Sequence, residues 1–329
     1  MTLTNISSPA NNDPAPQKPK KPRHRQWSFV ILAVLCGIAG LVLGRLGSLW
    51  IAFDVFAQFS VQFTLLIVAM LIAMPFPRFK GLAGVVFFTV LIVAYGLWPN
   101  FNRWNTAVSP MPGEKVLRVA SFNTYHDNLD FHALEASIAK MDADVVTLIE
   151  FSPLKQPLLD SLRATYPHQT SCTSFDNCDE VIISKYPLSN VSSVAEWAGP
   201  AYVRATLGPE FKNITILGIH TTRFPHPRAQ LKQVQALIKY IENIPDGIVV
   251  MGDFNATPFS RITQTLAEGL DLTGLTSLPT WPATFGLPQL SIDHVFVSKG
   301  IRKLEEEALG ESAGSDHFPI RVTIGISDH

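Results

Sequence analysis

The pattern of hydrophobic and polar positions divides the 329-residue chain into two regions. Up to about residue 98, apolar residues form long runs that contain almost no charge. From about residue 115 they form short runs, separated by turns and by stretches with helical periodicity. Long apolar runs are typical of membrane spans, whereas short ones are typical of a globular domain. We therefore predict a membrane region and a globular domain at 115–325, joined by a linker at 99–114.

Three apolar stretches lie at about 27–44, 57–74 and 81–98. Each approaches the roughly 20 apolar residues with which a helix crosses a bilayer, and tryptophans lie near their ends, where indole rings favour the membrane interface. Buried helices of a soluble protein are the alternative, but three nearly charge-free stretches in succession are unusual in soluble folds. A cleaved signal peptide accounts for the first stretch only. The pattern predicts three transmembrane helices.

The charges around these stretches predict their orientation. Residues 1–26 are polar and proline-rich, so we expect a disordered cytoplasmic tail, and this tail ends in a cluster of Lys and Arg. Arg78 and Lys80 lie between the second and third stretches. Positively charged loops stay in the cytoplasm, so three crossings place the globular domain on the outer face of a bacterial-type inner or plasma membrane, in the periplasm or outside the cell.

The globular region alternates predicted strands with predicted helices. Apolar runs predict strands at 116–122, 145–149, 180–184, 202–207, 214–220, 248–251, 292–297 and 318–324. Helical periodicity predicts helices at 131–140, 228–242 and 262–268, with Asp130 as the N-cap of the first and Pro227 at the start of the second. Such a mixture, without internal repeats, is typical of a single α/β or α+β domain.

Three cysteines bear on the compartment of this domain. Cys36 lies in the first apolar stretch, where a thiol is a small apolar group. Cys172 and Cys178 lie close together in a loop-like stretch. In an oxidising compartment this spacing allows a short-loop disulfide, which we predict for an outward-facing domain; two free thiols are the alternative.

Polar residues with catalytic chemistry lie at the ends of six predicted strands. They are Asn123, Glu150, His220, Asp253, Asn255, Asp293, Asp316 and His317. A strand held in a core presents the side chains at its end in fixed positions, so strand ends are where functional sites are built. A single Asn or Asp there commonly forms a turn, but six strand ends with such residues predict a site.

Seven short stretches resemble the motifs of the endonuclease/exonuclease/phosphatase superfamily and follow each other in that superfamily's order. They are Ser-Phe-Asn-Thr (121–124), Leu-Ile-Glu (148–150), Ile-Ile-Ser-Lys-Tyr-Pro-Leu (182–188), Gly-Ile-His-Thr (218–221), Gly-Asp-Phe-Asn-Ala (252–256), Ile-Asp-His-Val (292–295) and Ser-Asp-His-Phe-Pro (315–319). The resemblance covers about residues 115–325 and depends on the combination of motifs. It implies a four-layer α/β (α+β) sandwich, in which two mixed β-sheets pack face to face and helices flank them. Three transmembrane helices would precede this domain.

The resemblance also implies a divalent metal ion, Mg²⁺ or Mn²⁺. Glu150 would be its principal ligand, with Asp316 and Asn123 beside it. Oxygen atoms of such side chains are the hard ligands that these ions prefer. A bound metal ion polarises a phosphoryl oxygen and stabilises the charge that develops during in-line displacement.

The same resemblance implies roles for the other motif residues. Asp253 would orient or deprotonate the attacking water, and Asn255 would donate a hydrogen bond to the phosphoryl oxygen. His317 would contact the phosphate, and Asp293 would fix the tautomer of this histidine. His220 would be a second phosphate contact or a proton donor to the leaving group. Sequence alone leaves the identity of the general base open.

Further polar residues lie beside these motifs. Arg223 and Arg228 are candidates to hold a substrate phosphate. His126 and Asn128 are candidates to line the pocket. His294 should point to the opposite face of its strand from the site, because side chains alternate along a strand, and we expect it to be structural.

These features predict a membrane-anchored, metal-dependent phosphoesterase of the phosphodiesterase, phosphatase or nuclease type. A membrane-anchored binding or sensor module with a decayed site is the alternative, and the complete set of expected residues argues against it. Residues 1–105 hold nine of the 26 Lys and Arg but two of the 27 Asp and Glu, which leaves a net charge of −8 beyond them. That charge disfavours non-specific binding of DNA. A phospholipid head group, a nucleotide and a nucleic acid stay open as substrates, and no protein partner is predicted.

Overall fold

The computed structural model describes residues 24–72, 91, 108–174, 178–194, 198–242, 244, 247–305 and 307–327. These residues form an N-terminal helical hairpin and a domain of two β-sheets. Most of the predicted tail, the first part of the predicted linker and, apart from Leu91, the third apolar stretch lie outside the described residues.

The hairpin contains the helices α1 (His24–Arg45), α2 (Asp54–Ala57) and α3 (Ser60–Ile72). We call residues 46–59, which connect α1 to α3 and include α2, the hairpin turn. Helix α1 approaches α3 closely because Gly40 has no side chain: a Cβ atom there would come within 2.5 Å of the Phe63 ring. Small residues at such contacts are typical of packed membrane helices.

The described part of the predicted membrane region differs from the expectation. One segment, Ser28–Ser48, is long and apolar enough to cross a membrane, and it lies near the N-terminus, where a signal sequence has the same character. Within the expected second span at 57–74 the described helix is Ser60–Ile72, which is long enough to be a candidate span only together with Ile51–Ala57, and this pair is bent by 52°. The prediction of three transmembrane helices is therefore corrected, within the described residues, to one candidate helix and one bent pair. The bend accompanies hydrogen bonds from the hairpin turn to the β-sheet domain, which apolar periodicity does not reveal.

Thirteen strands form the two sheets of the described domain. In chain order they are β1 (Lys115–Asn123), β2 (Val145–Ile149), β3 (His168–Ser174), β4 (Cys178–Ser184), β5 (Leu188–Val194), β6 (Ala201–Leu207), β7 (Thr215–His220), β8 (Ile248–Asp253), β9 (Thr273–Gly274), β10 (Asp293–Val297), β11 (Ile301–Lys303), β12 (Ala308–Leu309) and β13 (Ile320–Ile326). The first sheet has the order β11-β13-β1-β2-β4-β3, with β12 beside β13, and the second has the order β5-β6-β7-β8-β10-β9. Both sheets are mixed, because β1 runs parallel to β2 and β7 runs parallel to β8, whereas the other neighbours are antiparallel.

The two sheets pack face to face around an apolar core. Val119 and Val145 of the first sheet meet Ile216, Met251 and Val295 of the second in this core. Successive side chains of a strand point to opposite faces, so the alternate residues of the same strands face outward, toward helices.

Four helices cover the outer faces of the sheets. They are α4 (Phe131–Met141), α5 (Gln156–Leu162), α6 (Pro227–Ile241) and α7 (Arg261–Gly269). Helices α4 and α5 share a buried apolar cluster with the first sheet, and α6 and α7 share one with the second. The predicted four-layer α/β sandwich of two mixed sheets flanked by helices is confirmed.

The predicted strands and helices of the domain are all present, with ends that differ by two residues at most. Asp130 is the N-cap of α4, since its carboxylate accepts the N–H of Ala133 at 3.0 Å. Sequence analysis missed β3, β5, α5 and three short strands. Strands β3 and β5 lie at sheet edges and are polar, so they lack the apolar run that predicted the others. Hydrogen bonds to β4 and β6 hold them in the sheets.

The predicted disulfide between Cys172 and Cys178 is present, and the Cα atoms of the two cysteines are 5.3 Å apart. It connects β3 to the first residue of β4, next to the edge of the sandwich at which the polar motif residues meet.

Candidate active site

The ends of the two parallel strand pairs meet at one edge of the sandwich. In the first sheet, Asn123 at the end of β1 pairs with Ile149 at the end of β2, and Glu150 follows directly. In the second sheet, His220 at the end of β7 pairs with Asp253 at the end of β8. Parallel neighbours end at the same edge of a sheet, so polar residues that are distant in sequence converge here.

A cavity of about 900 Å³ opens where these strand ends converge. Most of the predicted site residues line it: Glu150, His220, Arg223, Asp253, Asn255, Asp316 and His317. Asn123 and Asp293 are fully buried and contact these lining residues from within the domain.

Asn123 links the contributions of the two sheets. Its Nδ2 donates to Glu150 Oε1 at 2.9 Å and to Asp253 Oδ2 at 3.0 Å. Its Oδ1 accepts the backbone N–H of Tyr125 at 3.0 Å. In this arrangement Asn123 orients two carboxylates with its amide nitrogen. Its role as a metal ligand stays a prediction, since the amide oxygen has a second lone pair beside the one that Tyr125 occupies.

Glu150 projects into the cavity from an unusual backbone conformation. Its φ is 53°, and that of the neighbouring Tyr125 is 56°, in the left-handed region that residues other than glycine rarely adopt. Backbone strain of this kind is concentrated at functional sites, where the surrounding structure maintains it. The second carboxylate oxygen of Glu150 accepts the N–H of His126 at 3.0 Å.

Lys155 maintains this conformation from beneath the cavity. Its side chain is fully buried, and Nζ donates to the carbonyl oxygens of Tyr125 at 2.7 Å and Glu150 at 2.9 Å and to Thr124 Oγ1 at 2.7 Å. Burial lowers the pKa of Lys155 to about 8, against the opposing effect of Glu150 and two aspartates. Sequence analysis missed this residue, because a lysine after a strand end has no distinguishing pattern.

Asp253 lies at the centre of the site. Its Oδ2 is 3.7 Å from Nε2 of both His220 and His317, and its Oδ1 accepts the N–H of Asn255 at 2.7 Å. Burial and the nearby carboxylate of Asp293 raise the pKa of Asp253 to about 6, although the two histidines act in the opposite direction. A carboxylate with a pKa close to neutrality is suited to exchange a proton with water.

His317 is held by a buried carboxylate, as the sequence predicted. Its Nδ1 lies 2.8 Å from Asp293 Oδ2, and its Nε2 faces Asp253. Burial by itself lowers the pKa of His317, but the carboxylates of Asp293 and Asp253 outweigh burial and raise it to about 9. This pair therefore presents a fixed ring nitrogen to the cavity.

His220 has a similar environment that involves a residue the sequence analysis missed. Its Nδ1 lies 4.0 Å from Asp179 Oδ1, and its Nε2 lies 3.8 Å from Glu150 Oε1. Burial lowers the pKa of His220, but Asp179, Asp253 and Glu150 outweigh it and raise that pKa to about 10. Burial by itself raises the pKa of Asp179, but the nearby His220 outweighs burial, so the pKa of Asp179 lies below its ordinary value.

Asp179 could have been found from the topology. It lies at the beginning of β4, and β4 runs antiparallel to β2, so the beginning of β4 meets the end of β2 at the same edge. The N–H of Phe151 donates to the Asp179 carbonyl at 2.7 Å, which places Asp179 beside Glu150. A search for polar residues only at strand ends misses such a position.

The second-last residue of β8 is a glycine, because a side chain at this position would collide with the backbone of β7. Gly252 has a φ of 149°, and a Cβ atom there would lie 1.9 Å from the carbonyl oxygen of Ile219 in β7. This close approach explains the first position of the Gly-Asp-Phe-Asn motif. Asn255, with a φ of 47°, lines the cavity, and its Nδ2 donates to the Thr221 carbonyl at 3.1 Å.

The residues in the cavity fit a divalent cation. Glu150, His220 and Asp253 each offer one ligand atom, and these atoms lie within 4.8 Å of one another. Carboxylate oxygens suit Mg²⁺ or Mn²⁺, and a cation would offset the repulsion between neighbouring carboxylates. Asp316, a predicted ligand, is outside this group, although it lines the same cavity and accepts the indole N–H of Trp281 at 3.1 Å.

The remaining candidates lie at varied distances from the cavity. Arg223 lines it, whereas Arg228 is exposed in the first turn of α6, outside the lining. His126 contributes its backbone N–H to Glu150, and Asn128 binds the Ala313 carbonyl instead of lining the pocket. His294 is buried between the rings of Phe254 and Phe296 and is structural, as expected.

Known proteins with the same fold were found by comparison. A protein of the endonuclease/exonuclease/phosphatase family from Bacteroides thetaiotaomicron superimposes with a TM-score of 0.54 at 13% identity, over 65% of this chain and 99% of the other. An endonuclease/exonuclease/phosphatase from Beutenbergia cavernae gives 0.52 at 18% identity, over 65% and 72%. A mannosyl-6-phosphatase from Bacteroides thetaiotaomicron gives 0.51 at 12% identity, over 63% and 99%. No curated protein matches the sequence.

The sequence profile of the Endonuclease/Exonuclease/phosphatase family matches residues 120–329, which is more than half of the chain. The chain therefore belongs to this family, and the superfamily predicted from the motifs is confirmed. Family membership supports phosphoester hydrolysis as the general activity.

Proposed function

We propose that this protein is a membrane-anchored phosphoesterase that uses a divalent metal ion, Mg²⁺ or Mn²⁺, for the attack of water on a phosphoester. The observation that carries the proposal is the convergence of Glu150, Asp253, His220 and His317 in one cavity, with Asn123 joining the two carboxylates. A turn-forming role for these residues would not require them to face each other across two sheets.

Each residue has a distinct role in the proposed reaction. Glu150 is the principal ligand of the metal ion, which when bound polarises the phosphoryl oxygen and offsets its developing charge. Asp253 orients the attacking water and accepts its proton. Asn255 donates to the phosphoryl oxygen with the amide hydrogen that Thr221 does not occupy. His317, held by Asp293, and His220 face the phosphate, and His220 is also placed to protonate the leaving group.

The hairpin supports membrane anchoring. Several large apolar side chains of α1 and α3 are exposed: Phe29, Leu32, Leu35, Leu65 and Val68. Such side chains are unfavourable in water but suit contact with lipid. The hairpin turn contacts the β-sheet domain, so both lie on the same side of the membrane if α1 and α3 cross it. One further crossing is then needed before residue 108, for which the apolar stretch at 81–98 is the candidate.

An apolar loop next to α3 favours a substrate at the bilayer surface. Phe285 and Leu287 are 94% and 70% exposed, and the carbonyl oxygen of Gln289 in the same loop accepts the amide of Gln62 in α3 at 2.8 Å. Trp281 and Leu290, which flank the loop, line the cavity. A phosphoester group of a membrane lipid could therefore reach the cavity without leaving the interface.

The test uses the full chain, purified in detergent or reconstituted into vesicles. DNA, RNA, nucleotides, phospholipids and inositol phosphates are supplied with Mg²⁺ or Mn²⁺, and again after chelation. We expect metal-dependent hydrolysis, strongest for a lipid phosphoester presented in vesicles. Mn²⁺ should also raise the unfolding temperature of the protein, and Glu150→Ala should abolish that increase.

Matched variants connect the activity to the site. Glu150→Ala and Asp253→Ala should each lower kcat by at least about a hundredfold, the scale of one electrostatic or acid–base element. Asp160→Ala, which removes an exposed carboxylate on α5, is the control. Wild-type turnover in either site variant would refute the assignment, and inactivity of the wild type on every ester would favour the binding or sensor alternative.

A further inference from the structure

The hairpin turn is bound to the loop that follows β8. This loop, Asp253 to Ser260, carries Asp253 and Asn255 and leads into α7; we call it the site loop. Asp54 and Gln58 of the hairpin turn are 1% and 4% exposed, and both are polar. Buried polar side chains are costly unless they are hydrogen-bonded, so their partners indicate why they are there.

Asp54 binds the C-terminal end of the site loop. Its Oδ1 accepts the N–H of Arg261 at 2.6 Å, and its Oδ2 accepts the hydroxyl hydrogen of Ser260 at 2.5 Å. Arg261 is the first residue of α7, whose N–H has no partner within the helix. A carboxylate is favourable at this end of a helix because the helix dipole is positive there.

Gln58 binds the middle of the same loop. Its Oε1 accepts the N–H of Thr257 at 2.7 Å, and its Nε2 lies 3.4 Å from Asp54 Oδ2. Thr257 is two residues after Asn255. Gln58 also lines the cavity, so the hairpin forms part of the wall of the candidate active site.

Packing contacts hold the hairpin turn against the domain on both sides of these hydrogen bonds. Ile51 packs against the apolar cluster of the second sheet and its helices. The rings of Phe59 and Phe224 meet edge to face with centroids 5.8 Å apart, and Phe224 is another residue of the cavity wall. The hairpin turn therefore contacts the cavity wall through Gln58 and Phe59, and it contacts the adjoining parts of the domain through Asp54 and Ile51.

We propose that the hairpin is a working part of the active site, with Asp54 and Gln58 as positioning residues that hold the site loop, and with it Asn255, for phosphoester turnover. The turnover part of this inference rests on the proposed function; the positioning part does not. A consequence is that the membrane anchor and the catalytic site form one unit, so that undocking the hairpin lowers turnover.

Hydrogen exchange tests the positioning without any substrate. The full chain in detergent micelles is compared with Asp54→Ala, Gln58→Ala and the control Gln62→Ala, which removes an amide contact from the same hairpin to a different loop. We expect the Thr257 N–H in Gln58→Ala and the Arg261 N–H in Asp54→Ala to exchange about tenfold faster, as loss of one buried hydrogen bond implies. Gln62→Ala should leave both unchanged. Equal exchange of these N–H groups in the wild type and in the Asp54→Ala and Gln58→Ala variants would overturn the proposal.

Turnover of bis(p-nitrophenyl) phosphate with Mn²⁺ tests the consequence. Asp54→Ala and Gln58→Ala should lower kcat about tenfold with KM little changed, and Ser48→Ala, which removes an exposed hydroxyl of the hairpin turn, should lower it less than about twofold. If the hairpin acts through the site loop, adding Gln58→Ala to Asn255→Ala should lower kcat by less than about a further twofold, because coupled residues are not additive. Full additivity, or unchanged kcat in the single variants, would overturn the proposal.

Two designs keep the result interpretable. If Asp54→Ala does not fold, Gln58→Ala carries the test, because it leaves both hydrogen bonds of Asp54 to the domain intact. If the wild type hydrolyses no ester, the proposed function fails and takes the turnover claim with it. The exchange experiment still decides whether Asp54 and Gln58 hold the site loop.

Discussion

The ammonium group of Lys155 lies 2.9 Å from the carbonyl oxygen of Glu150, directly behind the carboxylate that we propose as the principal metal ligand. The same group binds Tyr125, so one buried side chain stabilises two adjacent residues in left-handed conformations. We expect Lys155→Met, which preserves bulk but removes the donors, to weaken Mn²⁺ binding about tenfold, because each lost hydrogen bond to a charged group is worth about 1.5–3 kcal/mol.

Calorimetric titration of Mn²⁺ into the folded variant measures this effect. Thr124→Val is the control: it removes one hydroxyl, which accepts from Lys155 and donates to the Ile149 and Glu150 carbonyls, but keeps the lysine, and it should change the affinity less. Wild-type affinity in Lys155→Met would show that Glu150 keeps its position without the lysine.

Asp293→Asn should lower kcat about a hundredfold by releasing the ring of His317. The pKa of His317 should also fall from its raised value toward the ordinary range, since Asp293 raises it more than the other nearby carboxylates do. Nuclear magnetic resonance titration of the histidine and steady-state rates against pH measure the two effects. Thr280→Val, which removes one hydroxyl donor to Asp293 but keeps the carboxylate, should lower kcat by less than about tenfold. An unchanged histidine titration in Asp293→Asn would contradict the assignment.

Glu180 makes stability depend on pH. Its side chain is fully buried, and burial together with Asp179 raises its pKa to about 8. Because its pKa is higher in the folded protein, protonated Glu180 contributes fully to the free energy of unfolding below the unfolded pKa of about 4.3. This contribution is lost as the pH rises through about 8. Glu180→Gln should therefore raise the unfolding temperature at pH 9 by at least about 2 °C, and hardly change it at pH 5.

Thermal unfolding at the two pH values checks the Glu180 prediction. Glu242→Gln, which alters an exposed carboxylate at the end of α6, should show no such difference. Equal changes in unfolding temperature at the two pH values would show that the pKa of Glu180 is not raised in the folded protein.

The Cys172–Cys178 disulfide should be present in protein extracted without reductant. Thiol labelling under denaturing conditions should then modify Cys36 alone. The double variant Cys172→Ser, Cys178→Ser should lose about 2 kcal/mol of stability, the low end for a disulfide, because the closed loop is short. Cys36→Ser is the control. Two reactive thiols at positions 172 and 178 would contradict the bond and weaken the outward topology.

Membrane topology can be read from fusions. A fusion of alkaline phosphatase after His329 should be active, because this enzyme folds outside the cytoplasm. A fusion of green fluorescent protein at the same position should not fluoresce, because that protein folds inside the cytoplasm. Fusions after Lys80, in the basic connection, should behave in the opposite way. A fluorescent, phosphatase-negative fusion after His329 would overturn the orientation and return cytosolic nucleic acid to the list of substrates.

Much of the domain could be predicted because its signals are local. A strand buried on both faces is predicted by an apolar run, as in β2, β7 and β8. The helix that begins at Pro227 is predicted by the fixed φ of proline and by the periodicity of the apolar residues that follow. Edge strands such as β3 lack this signal, because their partner strand rather than their own side chains keeps them in the sheet.

The chemistry of the site was likewise largely contained in the sequence. Motifs at strand ends identified Glu150, Asp253 and His317, and the pairing of His317 with Asp293 followed from the family pattern. The sequence alone located the motif residues, because each lies next to an apolar strand run, but it did not reveal Asp179 or Lys155. It did not determine which atoms face each other, and so the amide nitrogen of Asn123, rather than its oxygen, lies between two carboxylates.

Only the tertiary structure decided which distant residues support the site. Lys155, Asp179 and Gln58 carry no motif, because their importance comes from burial and from the chain that folds against them. The apolar pattern predicted the helices of residues 27–72. Hydrogen bonds across some 200 residues decided that the hairpin turn closes one side of the cavity, and contacts between segments so distant in sequence leave no local pattern.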